Sequence, residues 1–388
     1  MHPDLIRQLI AQGENNRLEF KSAQARPEAI AREIVAFANT LGGTLLLGVA
    51  DDGAIMGVES EGVTGRHVEE RLANILRHNI VPALGVEVSP VEMAGKTLLA
   101  IAVPKGRDKP YQTIDGKYWI RAGSTNRMAT KEELSRLFQQ AGLVHFDISP
   151  VVDTGVKDLD LDAIGNYYRT YYDIDFAALE EAERLNILDN ADILIEHEGE
   201  RTVSVGGMLL FGRQPQRRLP QSAVSFALFR GDMLTDELLD KKELTGTLPT
   251  LIDNTVALIK LFIPVASSTE GTRRVETVPI PGKVLREAVV NALAHRDYSI
   301  GHRKTMVQLF DNRLEITSPG GLPNTLTVDK IRHGNSAPRN IFLVKYLDNL
   351  RYFDGLGRGI PMMCKAMGER IVLEEIGQLF RVTLYPSQ

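Results

Sequence analysis

Leu285-Arg286-Glu287-Ala288-Val289-Val290-Asn291-Ala292-Leu293-Ala294-His295-Arg296-Asp297-Tyr298 is the stretch from which the fold can be read. Its apolar residues at 285, 289, 292 and 293 repeat with a helical period. Gly282 stands just before them, and Ser299-Ile300-Gly301 after them disfavours helix. Glu287 and Asn291 are four apart, so they project from one face of that helix a turn from each other. A carboxylate so placed can orient a water, and an amide oxygen beside it can coordinate a hard, oxygen-seeking Mg²⁺. Such a pair also occurs on ordinary solvated helices, so its weight depends on its surroundings.

Those surroundings add to it. Met306 to Leu309 and Leu314 to Ile316 read as two strands around the turn Asp311-Asn312-Arg313, and the second runs into Ser318-Pro319-Gly320-Gly321. Further on, Gly355-Leu356-Gly357-Arg358-Gly359 opens a helix through Met367. Glycines allow close backbone approach, and the free N–H groups of a helix start suit a phosphate. Between the two glycine runs, residues 331–340 read as a lid, in which Arg339 and Asn340, with Arg358 beyond, can meet phosphate. For Arg339 a salt bridge to a neighbouring acid is an equal alternative. His295, next to Asn291, either lines the pocket or merely finishes the helix. Phe380 to Tyr385 reads as a last strand.

In this order the pieces resemble the ATP-binding domain of the GHKL superfamily, the ATPase fold of gyrase and histidine kinases, and most of all its divergent branch labelled RecG-like helicases or transcriptional regulators. The resemblance implies that Glu287 is the ATPase base and Asn291 the ligand of the Mg²⁺ that accompanies ATP. It implies that Ser318, Gly320 and Gly321 form the first glycine box, Gly355, Gly357 and Gly359 the second, and that Arg339 and Asn340 match a recurrent Arg-Asn pair. One departure stands out: the first box usually opens with an Asp that reads the adenine amino group, and Thr317-Ser318 stand in that place here.

At 388 residues and 43% hydrophobic content the chain has material for two or three domains. It has no run of eighteen or so apolar residues to span a membrane and no basic-then-apolar start of a secretion signal. The lone Cys364 fits a reducing cytoplasm, and its expected role is a small buried hydrophobe. A net charge of −5 and a pI near 6.0 argue against wholesale polyanion binding while leaving room for local basic patches. A Gly-x-x-x-x-Gly-Lys-Ser/Thr phosphate loop occurs nowhere, so the usual helicase motor is absent.

At the other end, Leu18 to Lys21 alternates as a strand. Pro27 starts a helix that Gly42-Gly43 ends, and Thr44 to Val49 is a buried strand entering the turn Asp51-Asp52-Gly53. The run from Glu14 to Lys21 and on through Ala-Phe-Ala-Asn-Thr-Leu-Gly-Gly-Thr-Leu-Leu-Leu-Gly-Val-Ala-Asp-Asp-Gly (36–53) resembles the Schlafen AlbA-type domain. Such domains are linked to nucleic-acid binding and, in some Schlafen proteins, to metal-dependent RNA cleavage by three acids. Carried over, the acids are Glu14, Glu19 and Asp51 or Asp52, with Lys21 beside them. Clustered carboxylates would hold Mg²⁺ or Mn²⁺ to activate water, and the lysine would steady phosphate charge. The plainer alternative is two surface glutamates, one paired with Lys21, and a tight turn.

Lys105, Arg107, Lys109, Lys117, Arg121 and Arg127, interleaved with Tyr111, Tyr118 and Trp119, are the pattern that phosphate-backbone contact with base stacking requires. Trp119 is equally suited to a core. Residues 148–155 read as a linker. After them, helices at 161–172 and 177–188 and a hairpin give the order of a winged helix with an acidic surface. No chemistry attaches to residues 206–280.

The expected class is therefore α+β. Residues 1–147 form an AlbA/Schlafen-like α+β domain, 148–205 a helical, winged-helix-like connector, and 206–388 a RecG-like region whose GHKL α/β sandwich with mixed sheet spans about 280–388. The expected protein is a cytoplasmic, nucleic-acid-associated transcriptional regulator and homo-oligomer, switched by ATP and Mg²⁺ and turning ATP over slowly if at all. The alternatives are a metal-dependent ribonuclease regulated by nucleotide, and a GHKL fold kept as an oligomerisation scaffold.

Overall fold

The computed structural model describes residues 2–59, 65–263, 266–270, 273–277, 279–323, 326–352 and 357–387. The chain is α+β and divides between Val144 and His145 into two compact units.

The N-terminal unit is built on a four-stranded sheet in the order Leu18–Lys21, Gly43–Leu47, Lys96–Val103, Glu87–Met93, the first pair parallel and the others antiparallel. Parallel neighbours need a crossover, and the helix Pro27–Asn39 provides it. Its apolar side chains Ile30, Ile34, Phe37 and Ala38 pack with Leu45, Leu47, Leu99 and Ile101 in one core. The end of this helix explains much of the 36–43 motif. Asn39 donates its amide to the carbonyls of Tyr111 (2.8 Å) and Trp119 (2.9 Å) and accepts from the Tyr111 N–H (2.8 Å). Gly42 lies at φ +73°, and a Cβ there would come within 2.7 Å of the Lys105 nitrogen. No larger residue fits.

The C-terminal unit carries a six-stranded mixed sheet in the order Glu237–Leu244, Val224–Arg230, Thr305–Leu309, Leu314–Pro319, Leu379–Leu384, Ile371–Ile376. Only Val224–Arg230 and Thr305–Leu309 run parallel. The helix expected from Leu285 onward spans Gly282–Ala294, with Val284, Leu285, Ala288, Val289 and Leu293 buried. It lies beside the helix Leu248–Phe262 and joins one core with Val307, Ile316 and Val382 from the sheet. Each valine, leucine or isoleucine among them taken fully out of water contributes about 1.5–3 kcal/mol, before the cost of ordering it.

Two expected segments differ. Residues 148–155 are not a linker: the Val151 N–H donates to the Val203 carbonyl (2.8 Å), the Val205 N–H donates to the Ser149 carbonyl (2.8 Å), and Val151 is buried. The helix–helix–hairpin order of 148–205 is present, as Leu161–Tyr172, Glu181–Asn190 and the strands Leu194–His197 and Glu200–Val203. It does not stand apart as a connector, because Tyr167, Phe176, Leu188 and Leu194 belong to the same core as Phe342 and Tyr346. The Tyr167 and Tyr346 rings lie 5.0 Å apart. Among the described residues no helix is long and apolar enough to cross a membrane.

Candidate nucleotide pocket and the buried ion cluster

One cavity of the C-terminal unit gathers most of the residues singled out in the sequence. Glu287, Asn291, His295, Ser318, Gly320, Gly321, Arg339, Gly357 and Gly359 line it, and Asn335, Ser336 and Ala337 bring the expected lid segment to its wall. Its remaining lining is largely apolar, including Ile316, Leu326, Ile331, Val344, Phe380 and Val382. Gly355 lies outside the described residues. Arg358 is exposed at the start of the helix Gly359–Met367, and neither it nor Asn340 is among the lining residues.

The Asn291 amide nitrogen donates to Glu287 Oε1 at 2.7 Å. That bond fixes which way the amide points and leaves its oxygen for another partner. Glu287 in turn rests against the second glycine run, where a Cβ on Gly359 would fall 1.6 Å from Glu287 Oε1. A larger residue there would have to push the carboxylate from its present place. A carboxylate, an amide oxygen and a helix start thus converge, a donor set suited to a hard cation and the phosphates it accompanies.

The end of the Gly282–Ala294 helix shows a second arrangement, which sequence reading missed. The last carbonyls of a helix have no partner within it. Here side chains supply the partners: Ser318 Oγ donates to the Ala292 carbonyl (2.6 Å), Tyr298 Oη to Leu293 (2.9 Å), and Asn340 Nδ2 to both Ala294 and Arg296 (2.8 Å each). Arg339 Nη1 donates to the His295 carbonyl (2.7 Å), and its Nη2 to Gly321. Arg339 is therefore a wall of the cavity held by backbone carbonyls. Asn340, expected at the nucleotide, is a fully buried clamp on the helix end. Among the described residues its oxygen has no hydrogen-bond partner, so its contribution there is that of a double donor.

His295 sits between these groups, and burial together with the Arg339 guanidinium pushes its imidazole down to about 4. Between pH 6.5 and 4 the unfolded chain takes up a proton that the folded unit refuses. Stability is then full above pH 6.5 and falls as pH drops towards 4, by up to about 3 kcal/mol. Urea midpoints of wild type and His295→Gln, measured from pH 7 to 4, should diverge with the wild type falling more steeply. Parallel curves would show that His295 titrates normally.

The N-terminal unit brings together a different set of acids from the one expected. Arg121, with its side chain 1% exposed, donates from Nη1 to Glu19 (2.8 Å), Glu33 (3.3 Å) and Asn126 (3.1 Å), and from Nη2 to the Asn15 carbonyl (2.5 Å). Lys21 pairs with Glu19. Burial, then the neighbouring Glu19 charge, raises Glu33 above the ordinary carboxylate range. Glu33 was not singled out in the sequence, where it reads as one more position on an amphipathic helix. Glu14 instead accepts the Phe20 N–H (2.9 Å), and Asp52 accepts the Ala54 N–H (2.9 Å) in its own turn. Among the described residues no three His, Cys, Asp or Glu side chains are grouped to hold a metal ion. The expected triad of Glu14, Glu19 and Asp52 does not assemble, because Glu19 is turned inward to Arg121 and Lys21.

The expected basic surface is also smaller. Arg121 and Lys109 are buried, the latter donating to the Thr40 carbonyl (3.0 Å). Arg107 is exposed, Lys105 half-buried, and Arg127 is exposed but forked onto Glu133 at 2.7 Å through both terminal nitrogens. Tyr111 is buried, and Trp119 is half-buried with Arg32 over its ring.

The two arrangements are thus a buried carboxylate–arginine cluster in one α+β unit and a glycine-lined cavity beneath a helix in the other. Comparison with known proteins adds the architecture. Residues 14–130 match the family described as Schlafen, AlbA_2, and residues 302–384 the family described as putative ATP-dependent DNA helicase recG C-terminal. The chain thus carries a Schlafen AlbA_2-type domain followed by a recG C-terminal-type domain. Among solved structures it is similar to the DIP2311 protein from Corynebacterium diphtheriae, with 22% identity over 99% of this chain and 80% of that one, at a TM-score of 0.48. It is also similar to the N-terminal domain of a putative ATP-dependent DNA helicase RecG-related protein from Nitrosomonas europaea, with 28% identity over 33% of this chain and 92% of that one, at a TM-score of 0.25. No curated protein matches the chain.

Proposed function

We propose that the protein is a nucleic-acid-associated regulator of transcription whose C-terminal unit binds ATP with Mg²⁺, and that nucleotide occupancy biases its hold on nucleic acid. The observation that carries the reading is the convergence of Glu287, Asn291 and Gly359 in one cavity with the first glycine run. In this reading Asn291 offers its amide oxygen to the cation and Glu287 orients a water. The apolar part of the lining takes the base, and the two glycine runs take the phosphates. Regulation needs binding and at most slow hydrolysis. The two family matches support the association with ATP and with nucleic acid. The reading extends to a homo-oligomer working in the cytoplasm.

Titration calorimetry of ATP with Mg²⁺ into wild type and Asn291→Ala tests it. Binding in the micromolar range, weakened about tenfold or more in the variant, is the expected result for loss of a cation ligand and of the hydrogen bond to Glu287. Absence of heat in the wild type would sink the nucleotide reading.

A further inference from the structure

We propose that a second groove of the C-terminal unit, between the helices Leu248–Phe262 and Gly282–Ala294, holds the phosphodiester backbone of a nucleic-acid strand without reading its sequence. This rests on the association with nucleic acid proposed above, names a site for it, and does not depend on the nucleotide pocket.

The groove is open, about 450 Å³ in volume, and lined by Asp253, Val256, Ala257, Lys260, Gly282, Lys283 and Arg286. Its cations come from both helices. Lys260 reaches across from the first, its Nζ lying 3.6 Å from where a Cβ on Gly282 would stand. Lys283 and Arg286 are three apart on the second, so their side chains are neighbours on one face. Like charges so placed repel, and a bound anion relieves them.

Within the groove little else offsets that charge. Asp253 is the one carboxylate among the lining residues, and it already accepts the Tyr352 hydroxyl (2.8 Å). Among the described residues neither Lys260 nor Lys283 has an ion pair or a side-chain hydrogen bond. Arg286 is held from one side: its guanidinium lies 4.8 Å from the centre of the Tyr352 ring, and Nη2 donates to the Arg351 carbonyl (3.3 Å). A guanidinium has donors to spare beyond that one bond. On a chain of net charge −5 this is a local excess of positive charge with its donors available.

The rest of the lining decides what kind of anion fits. Val256, Ala257 and Gly282 offer no side-chain group that could tell one base from another. A site for a single small anion needs fixed donors converging on one point, whereas here two flexible lysines and an arginine are spread over two helices. Spread cations on mobile stems suit successive phosphates of a strand, contacts that position a nucleic acid without specifying it.

Fluorescence anisotropy on the full chain tests the proposal, with labelled single strands of two unrelated sequences, each as DNA and as RNA, between about 50 and 200 mM salt. All three side chains are exposed, so their replacement leaves the fold intact. The combined variant Lys260→Gln, Lys283→Gln, Arg286→Gln should bind both sequences about tenfold or more weakly at the lower salt. Its plot of log affinity against log salt should be shallower by about 2, roughly 0.7 for each lost phosphate contact. The control Lys241→Gln, Lys345→Gln, Lys365→Gln makes the same change of charge at exposed residues outside the groove and should keep the wild-type slope. An equal loss in both variants, or a loss for one sequence alone, would overturn the backbone site. So would displacement of the strand from wild type by inorganic phosphate well beyond that by chloride at equal ionic strength, the mark of a small-anion site. Wild-type affinity and slope in the groove variant would overturn this inference and leave the association with nucleic acid standing. Binding of neither DNA nor RNA by the wild type would overturn both.

Discussion

Arg121→Ala is expected to destabilise the N-terminal unit by about 3–5 kcal/mol, the cost of removing one partner from a buried ion cluster. With the guanidinium gone, Glu19 and Glu33 face each other with Lys21 paired to Glu19 and the more exposed Arg32 3.6 Å from Glu33, and the Asn15 carbonyl and Asn126 oxygen each lose a donor. The aromatic face of Phe37 also loses the cation above it. Arg121→Lys should recover only part of this, since one ammonium cannot reproduce a fork that reaches four groups. Denaturation followed by hydrogen exchange of the 27–39 helix measures the loss. A stable Arg121→Ala unit that binds nucleic acid less well would instead return Arg121 to the surface role expected from sequence.

That role was a reasonable expectation, and its failure shows where local reading stops. In sequence Arg121 sits among Lys105, Arg107, Lys117 and Arg127, and nothing nearby distinguishes it. Its partners Glu19 and Glu33 are 102 and 88 positions away. Burial of a charge is decided by such distant partners, which periodicity cannot see. The same applies to residues 148–155, whose Pro and Gly suggest a linker until pairing with Val203 and Val205 uses their backbone groups. By contrast the helix Gly282–Ala294 was legible because its signals are local, a 3.6-residue period and a four-residue spacing. The Glu287–Asn291 pair, the first glycine box and Gly357 and Gly359 come together on one cavity, as their order along the chain led one to expect. Composition alone did not mark Glu237–Leu244 as a strand, since its charged residues occupy an exposed sheet edge where packing places no demand on them.

Asn340→Asp is expected to be more damaging than Asn340→Ala, and the ordering identifies what the residue does. The two Nδ2 hydrogen bonds, to Ala294 and Arg296, are the whole of its partnership with the helix end. Alanine leaves two buried carbonyls without a donor, a loss of about 2–4 kcal/mol. Aspartate keeps the shape but aims a carboxylate at the same two carbonyls in a site closed to solvent. It must either bury an uncompensated charge or take up a proton and donate only once, so its penalty exceeds that of alanine at neutral pH and shrinks on acidification. Thermal denaturation of the three proteins at pH 7 and pH 5 checks both the ranking and its pH dependence. ATP affinity should fall in the variants in proportion to the loosening of the helix, since Ser318 and Arg339 bind neighbouring carbonyls of the same turn. If both variants kept wild-type stability and lost only nucleotide binding, Asn340 would be a ligand contact and the clamp assignment would fall.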